Sequence, residues 1–292
     1  MRAVRRRASF AAVVSLLAAV AVGCAGSDSG SGTGGEPGSS GPTTTPSAGP
    51  VSHEYRPGLA AFPHLPEGVT EAPVVVMIPG GGWATADPTG LEPLAAELAA
   101  QGVVAMPVVI RAAADGVVHP VPVEDVLCAL ADGAATATAA GIQPTSLVLL
   151  GHSSGAHLSA VATLAPDQYA PKCDDPLVAP DALVGLAGPY DIRNFSDAAA
   201  NLFAPDADDA TWDAANPVLL AARRPEVPVL LLHGDADPVV AAQFSQDFAA
   251  ALRAGGHQVT LSILPGVNHG EVYSASVAAA PVVQWLRSLP QD

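Results

Sequence analysis

Leu147-Val148-Leu149-Leu150-Gly151-His152-Ser153-Ser154-Gly155 is the stretch on which the reading of this chain turns. Four apolar residues run without interruption into the pattern G-x-S-x-G, and the segment behind it, Ala156–Leu164, has helical spacing. A short, unbroken apolar run is how a strand buried on both faces of a parallel sheet reads. A serine placed where such a strand turns sharply into a helix sits in strained backbone that lifts its hydroxyl clear of the sheet. The flanking glycines let the two backbones close on each other. The pentapeptide alone is a weak signal. The strand–turn–helix setting is what makes Ser153 a candidate nucleophile.

Working outward, the same alternation continues in both directions. Val74–Ile78 is a β-branched run closed by Pro79 and three glycines, and Gly90–Gln101 carries Leu91, Leu94 and Leu98 at helical spacing. Val103–Val109 reads as a strand, Val123–Ala140 as a helix, Ser146–Leu150 as the strand before Ser153, and Ala182–Leu186 as the next strand. After a polar, irregular insert come a strand at Val229–Leu232, a helix face at Phe244, Phe248 and Leu252, a strand at Val259–Leu264 and a helix at Ala275–Leu286. Apolar strands alternating with helices predict an α/β fold, a mostly parallel sheet with helices on both faces.

A serine hydroxyl is a weak nucleophile; it needs a base, and the base needs an orienting carboxylate. In an arrangement of this type they follow in the order Ser, Asp/Glu, His, after later strands. Strand Val229–Leu232 runs into His233-Gly234-Asp235-Ala236-Asp237, which offers two carboxylates. The last strand runs into Pro265-Gly266-Val267-Asn268-His269. Of the eight histidines only His269 follows the acid in a loop after a strand; His152, His157 and His233 lie too close to strand or helix backbone to swing onto Ser153. Backbone donors for a developing oxyanion are expected from Ser154, just after the nucleophile, and from Gly81 and Gly82 in the run Pro79-Gly80-Gly81-Gly82-Trp83.

Taken together, these segments resemble the α/β-hydrolase family, and within it the small HGGG-type esterases related to hormone-sensitive lipase, arylformamidases and feruloyl esterases. GHSSGAHLSA (151–160), HPVPVEDV (119–126), Gly188-Pro189-Tyr190-Asp191 and HGDAD (233–237) carry the likeness, which spans about residues 70 to 290. The resemblance implies Ser153 as nucleophile, His269 as base and Gly81, Gly82 and Ser154 as oxyanion donors. It selects Asp237, the fifth residue of H-G-x-x-D, over Asp235. It also implies a small-molecule ester as substrate and no cofactor; no metal, nucleotide or flavin signature is present. Amide cleavage is the alternative chemistry for the same triad, and an inactive hydrolase fold serving as a binding module is the alternative class. Two departures stand out. Pro79 occupies the place of the leading histidine, and the region before Val74 is short and proline-rich, which predicts a trimmed or irregular opening hairpin. The insert Asp191–Arg224 is a candidate small lid, with Phe195, Leu202, Phe203 and Trp212 as candidate pocket walls whose aromatics taken singly read more readily as local core; Trp83 is a further candidate pocket residue.

The flanks bound what the protein can do. Residues 1–23 pair a cationic start (Arg2, Arg5, Arg6, Arg7) with a weakly apolar stretch, as a secretory signal does. The ending Ala21-Val22-Gly23-Cys24 resembles a bacterial lipobox, so Cys24 is the expected lipidation site and the chain is expected to be exported. A lipid anchor would hold it on the outer face of the cytoplasmic membrane. Residues 24–50 hold no large apolar side chain and read as a tether, which leaves 51–292 as the hydrolase domain. The net charge is −16; beyond the four leading arginines the chain has eight basic and 28 acidic side chains, −20, which argues against nucleic-acid binding. No apolar run reaches the ~18 residues of a membrane span. The three cysteines lack C-x-x-C spacing, against a zinc module. Because export removes the chain from the reducing cytosol, Cys128 and Cys173 are expected to pair. Oligomeric state is not legible.

Overall fold

The computed structural model describes residues 51–290 of the 292. The expected signal, Cys24 and the whole of the expected tether lie outside the described residues. The chain opens with an antiparallel hairpin, β1 (His53–Arg56) and β2 (Leu59–Ala61), whose register slips between Glu54 and Arg56. Its link to the rest runs through isolated bridges from Ala61 to Val108 and from His64 to Ala105. Polar anchors compensate for so little pairing. Arg56 and Arg111 both reach the fully buried carboxylate of Asp125, at 2.8 and 2.6 Å, and the Tyr55 hydroxyl donates to the Val109 carbonyl at 2.6 Å. A buried carboxylate is tolerable only when paired in this way.

Then come β3 (Glu71–Ile78), α1 (Glu92–Ala100), β4 (Val104–Pro107), α2 (Val121–Ala139), β5 (Gln143–His152), α3 (Ser154–Leu164) and β6 (Ala182–Leu186). The insert folds as three short helices, α4 (Ser196–Ala199), α5 (Asp209–Ala214) and α6 (Pro217–Leu220). It is followed by β7 (Val229–Gly234), α7 (Gln243–Ala254), β8 (Val259–Leu264) and α8 (Ala275–Leu286). Two elements are shorter than expected for local reasons. The strand expected over Val103–Val109 stops at Pro107, and the Val109 amide turns away to the Ala60 carbonyl of the opening hairpin. The helix expected from Gly90 begins at Glu92, because Asp87 accepts from the Thr89 amide and caps a 3-10 turn over Pro88–Leu91.

Six strands form one parallel sheet in the order β4-β3-β5-β6-β7-β8. Side chains alternate across it. Val74, Val76 and Ile78 of β3 enter one core with α2, α3 and α7, while Val75 and Met77 enter the other with α1 and α8. From β3 the chain moves outward to β4, then returns across to β5 and continues the opposite way. Loops from the carboxyl ends of β3 and β5 therefore diverge, and a crevice opens between them, as it does at such switch points generally. Cys128 of α2 and Cys173 in the loop before β6 form a disulfide with Cα atoms 5.2 Å apart, inside the window a bridge requires.

Candidate active site

Every part of the site comes from a carboxyl end of the sheet. Ser153 follows β5 with φ 54° and ψ −123°, a conformation that costs a non-glycine residue free energy and that the surroundings must enforce. They do so by close packing. The Ser153 amide donates to the Leu186 carbonyl of β6, and a Cβ at Gly155 would lie 2.3 Å from the Ile78 carbonyl of β3. Only glycine permits that approach, which seats the first turn of α3 on the end of β3.

The Ser153 hydroxyl donates to His269 Nε2 at 2.9 Å, and His269 Nδ1–H donates to Asp237 Oδ2 at 2.7 Å. Asp237 Oδ1 accepts from the amides of Val239 and Val240 at 2.8 and 2.9 Å. Burial acts to raise the Asp237 pKa, but the bonds from Val240, His269 and Val239 outweigh it and hold the group below the ordinary carboxylate value. The other carboxylate in that loop is turned elsewhere. Asp235 accepts from the Gly266 amide at 2.6 Å and pins the turn after β8. Of the two carboxylates in HGDAD, it is Asp237 that meets His269.

The loop Gly80–Trp83 lies beside Ser153. The Gly81 carbonyl accepts from the amides of Ala84 and Thr85, so it points into its own turn. In a planar trans peptide the following N–H points the opposite way, which turns the Gly82 amide out of the turn. Among the described residues no carbonyl or side chain accepts from the Gly81, Gly82 or Ser154 amides. Ser153 and His269 open onto a cleft of about 380 Å³ whose apolar wall includes Trp83, Leu91, Pro189, Phe195, Val239 and Tyr273.

Three expected pocket residues are elsewhere. Phe203 stacks on Trp212 with centroids 4.1 Å apart, tilts against His119, and packs into the main core. Trp212 packs against the same main core and Leu202 lies within it, so none of the three lines the cleft. The wall that does form is contributed by loops after β3, β6, β7 and β8, and no local pattern in the sequence announces such a convergence. His152, set aside on sequence as too close to the backbone to reach Ser153, also lines the cleft. Its Nε2–H donates to the His269 carbonyl at 2.9 Å, and its ring lies 4.7 Å from that of His269 and 4.4 Å from that of Tyr273. Burial, with the charge of His269 as the next cause, lowers its pKa to about 4. Its position immediately before Ser153 was the available signal. His233 is buried under Asp237 and bonds to Ser245 and the Val240 carbonyl. Gly188-Pro189-Tyr190-Asp191 serves packing. Tyr190 stacks on Phe248 of α7 at 4.3 Å, and Asp191 accepts from Arg193, Asn194 and Asn216 to hold the start of the insert.

Comparison with known proteins agrees with this arrangement. The family model BD-FAE matches residues 64–252. A protein described as probable carboxylic ester hydrolase LipM of Mycobacterium tuberculosis is 30% identical over 225 residues, covering 72% of this chain and 52% of its own length. Esterase LipQ of the same organism is 28% identical over 252 residues, covering 81% and 59%. The chain thus spans between half and three fifths of these relatives. Among solved structures, the butyrate-bound esterase Est2 of Thermogutta terrifontis superposes with a TM-score of 0.68 at 22% identity, over 82% of this chain and 92% of that one, a likeness of fold. With an all-parallel six-stranded sheet, a strained serine after its third strand in sequence and a family model covering most of the folded region, this chain belongs to the BD-FAE family and has the α/β-hydrolase fold.

Proposed function

We propose that the protein is a serine hydrolase that cleaves carboxylic esters of small molecules through an acyl-enzyme. The observation that carries this reading is the unbroken hydrogen-bonded line from Ser153 through His269 to Asp237, opening onto an apolar cleft. In this reading Ser153 Oγ attacks the acyl carbon as its proton passes to His269 Nε2, and Asp237 stabilises the imidazolium that forms. The amides of Gly81, Gly82 and Ser154 receive the oxyanion. His269 then gives its proton to the departing alkoxide. It next takes one from water, whose oxygen attacks the acyl carbon and releases the acid with Ser153 restored. The names of the relatives, a carboxylic ester hydrolase and an esterase, favour esters over amides as the bond cut. A fluorophosphonate probe tests the reading. It should label the wild-type chain and not Ser153→Ala, and absence of labelling on a folded wild-type chain would sink it.

The reading extends to location. Export with a lipid at Cys24 is supported by the lipobox-like ending and is compatible with the Cys128–Cys173 disulfide, since such bonds persist in oxidising compartments. Cys24→Ala should release the enzyme into the medium or block its processing. Unchanged membrane retention and mature mass would contradict lipidation.

A further inference from the structure

The loop that offers the oxyanion amides is strained and has little to hold it from its own start. Gly81, Gly82 and Trp83 have φ of 148°, 61° and 56° in succession, the last of them a bulky residue that ordinarily avoids this region. Pro79, at the start of the loop, has no amide N–H and no polar side chain. The amides of Ala113 and Ala114 donate to the Trp83 and Ala84 carbonyls at 3.0 and 2.9 Å and hold the end of the loop, and two side-chain contacts reach it as well. Asn201 Nδ2 donates to the Gly82 carbonyl at 3.1 Å, which fixes the plane of the peptide joining Gly82 to Trp83. The Trp83 indole N–H donates to His157 Nδ1 at 3.2 Å, with the two rings edge to face at 5.2 Å. Both side chains are buried, Trp83 to 3% exposure and His157 to 0%.

The chemistry of this pair admits one arrangement. An indole nitrogen only donates, so His157 Nδ1 must be unprotonated. Its Nε2 then carries the proton and donates to the Ala215 carbonyl at 2.8 Å. A protonated ring would set two N–H groups against each other. Burial lowers the pKa of His157 to about 3, which keeps the single tautomer through the working range. Both chains of contact end in the insert, one at Asn201 and the other at Ala215.

We infer that His157 and Asn201 are positioning residues: with the insert 191–224 as their anchor, they hold Trp83 and the Gly82–Trp83 peptide so that the oxyanion amides face Ser153. The insert is then a brace for the oxyanion loop more than a lid over it. His157 touches neither substrate nor Ser153 in this role and acts through Trp83. The inference rests on the hydrolase reading above.

The test separates holding the fold from holding the loop. Trp83→Phe removes one N–H and keeps an aromatic ring, and His157→Leu removes the acceptor while keeping much of the side-chain volume. Each should lower kcat by about 10- to 100-fold, less than the roughly 100- to 1000-fold for losing an oxyanion donor outright, with KM moving less than about threefold. Affinity for a trifluoromethyl ketone, which forms a tetrahedral adduct on serine, should fall with kcat. The double variant should be no worse than the worse single one. His157→Asn, whose side-chain oxygen can still accept from the indole, should recover part of the loss, and Asn201→Ala should shift kcat in the same direction. If Trp83→Phe and Asn201→Ala lower only the melting temperature, and kcat and ketone affinity stay at wild-type values, the contacts are merely structural and the inference is overturned. A readout independent of turnover accompanies these: the Trp83 indole proton, one of three in the chain, should exchange slowly in the wild type and rapidly in His157→Leu. Fast exchange in the wild type refutes the inference whether or not the chain hydrolyses esters. A wild type that is unlabelled at Ser153 yet protects this proton refutes the hydrolase reading instead.

Discussion

At the scale of single residues the proposed chemistry depends on three side chains and on which carboxylate faces the base. Ser153→Ala or His269→Ala should lower kcat by several orders of magnitude in a p-nitrophenyl ester assay, because members of a triad act as a unit. Asp237→Asn should be far more damaging than Asp235→Asn. Asp237 meets His269 at 2.7 Å, whereas Asp235 spends its carboxylate on the Gly266 amide. The reverse order of damage would move the acid to Asp235. Gly155 is a separate case at this scale. A methyl there would meet the Ile78 carbonyl at 2.3 Å, so Gly155→Ala should cost about 1–3 kcal/mol or more, as forced overpacking does, read as a lower denaturation midpoint.

Among the elements, α2 does more than cover the sheet. Asp125 on its first turns gathers Arg56 and Arg111, and Cys128 one turn later is bonded to Cys173. The disulfide closes a loop across 45 residues of sequence that contains β5, Ser153 and α3. By the chain-entropy argument it contributes about 3–4 kcal/mol through the unfolded state. Thermal unfolding with and without reductant should show that loss, and alkylation of both thiols without prior reduction would rule the bond out. Neither cysteine lines the cleft, so the reduced chain should keep its kcat wherever it remains folded.

For the whole molecule, buried neutral histidines couple stability to pH. Burial lowers the pKa of His119 to about 4, of His152 to about 4 and of His157 to about 3. In the unfolded chain these rings titrate near 6.5. Between those values the unfolded state binds more protons than the folded one, so stability rises with pH there and is lost as pH falls from about 6.5 toward 4. Asp132, whose pKa burial raises, works in the opposite sense and only partly offsets three histidines. The urea midpoint should therefore be clearly lower at pH 5 than at pH 7, and equal midpoints would contradict the assignment of these rings as neutral. Activity should also decline in acid, since His269 must be unprotonated to accept the Ser153 proton.

What the sequence determined by itself is whatever is written in consecutive residues. Apolar runs marked β3, β5, β6, β7 and β8, and β6, buried at every position, was bounded to the residue, because a strand buried on both faces has no polar position to blur its ends. The glycines around Ser153 announced the turn, and chain order singled out His269. Only the tertiary structure decided the rest. The resemblance had already selected Asp237 over Asp235; the structure turned that carboxylate toward His269, and it walled the cleft with the loops after β3, β6, β7 and β8. It also set His157 behind Trp83 and His152 under His269. The reason is common to all of these. Each contact joins segments far apart in the chain, and side-chain direction at the end of a strand is set by the register of its neighbours, which no local pattern encodes.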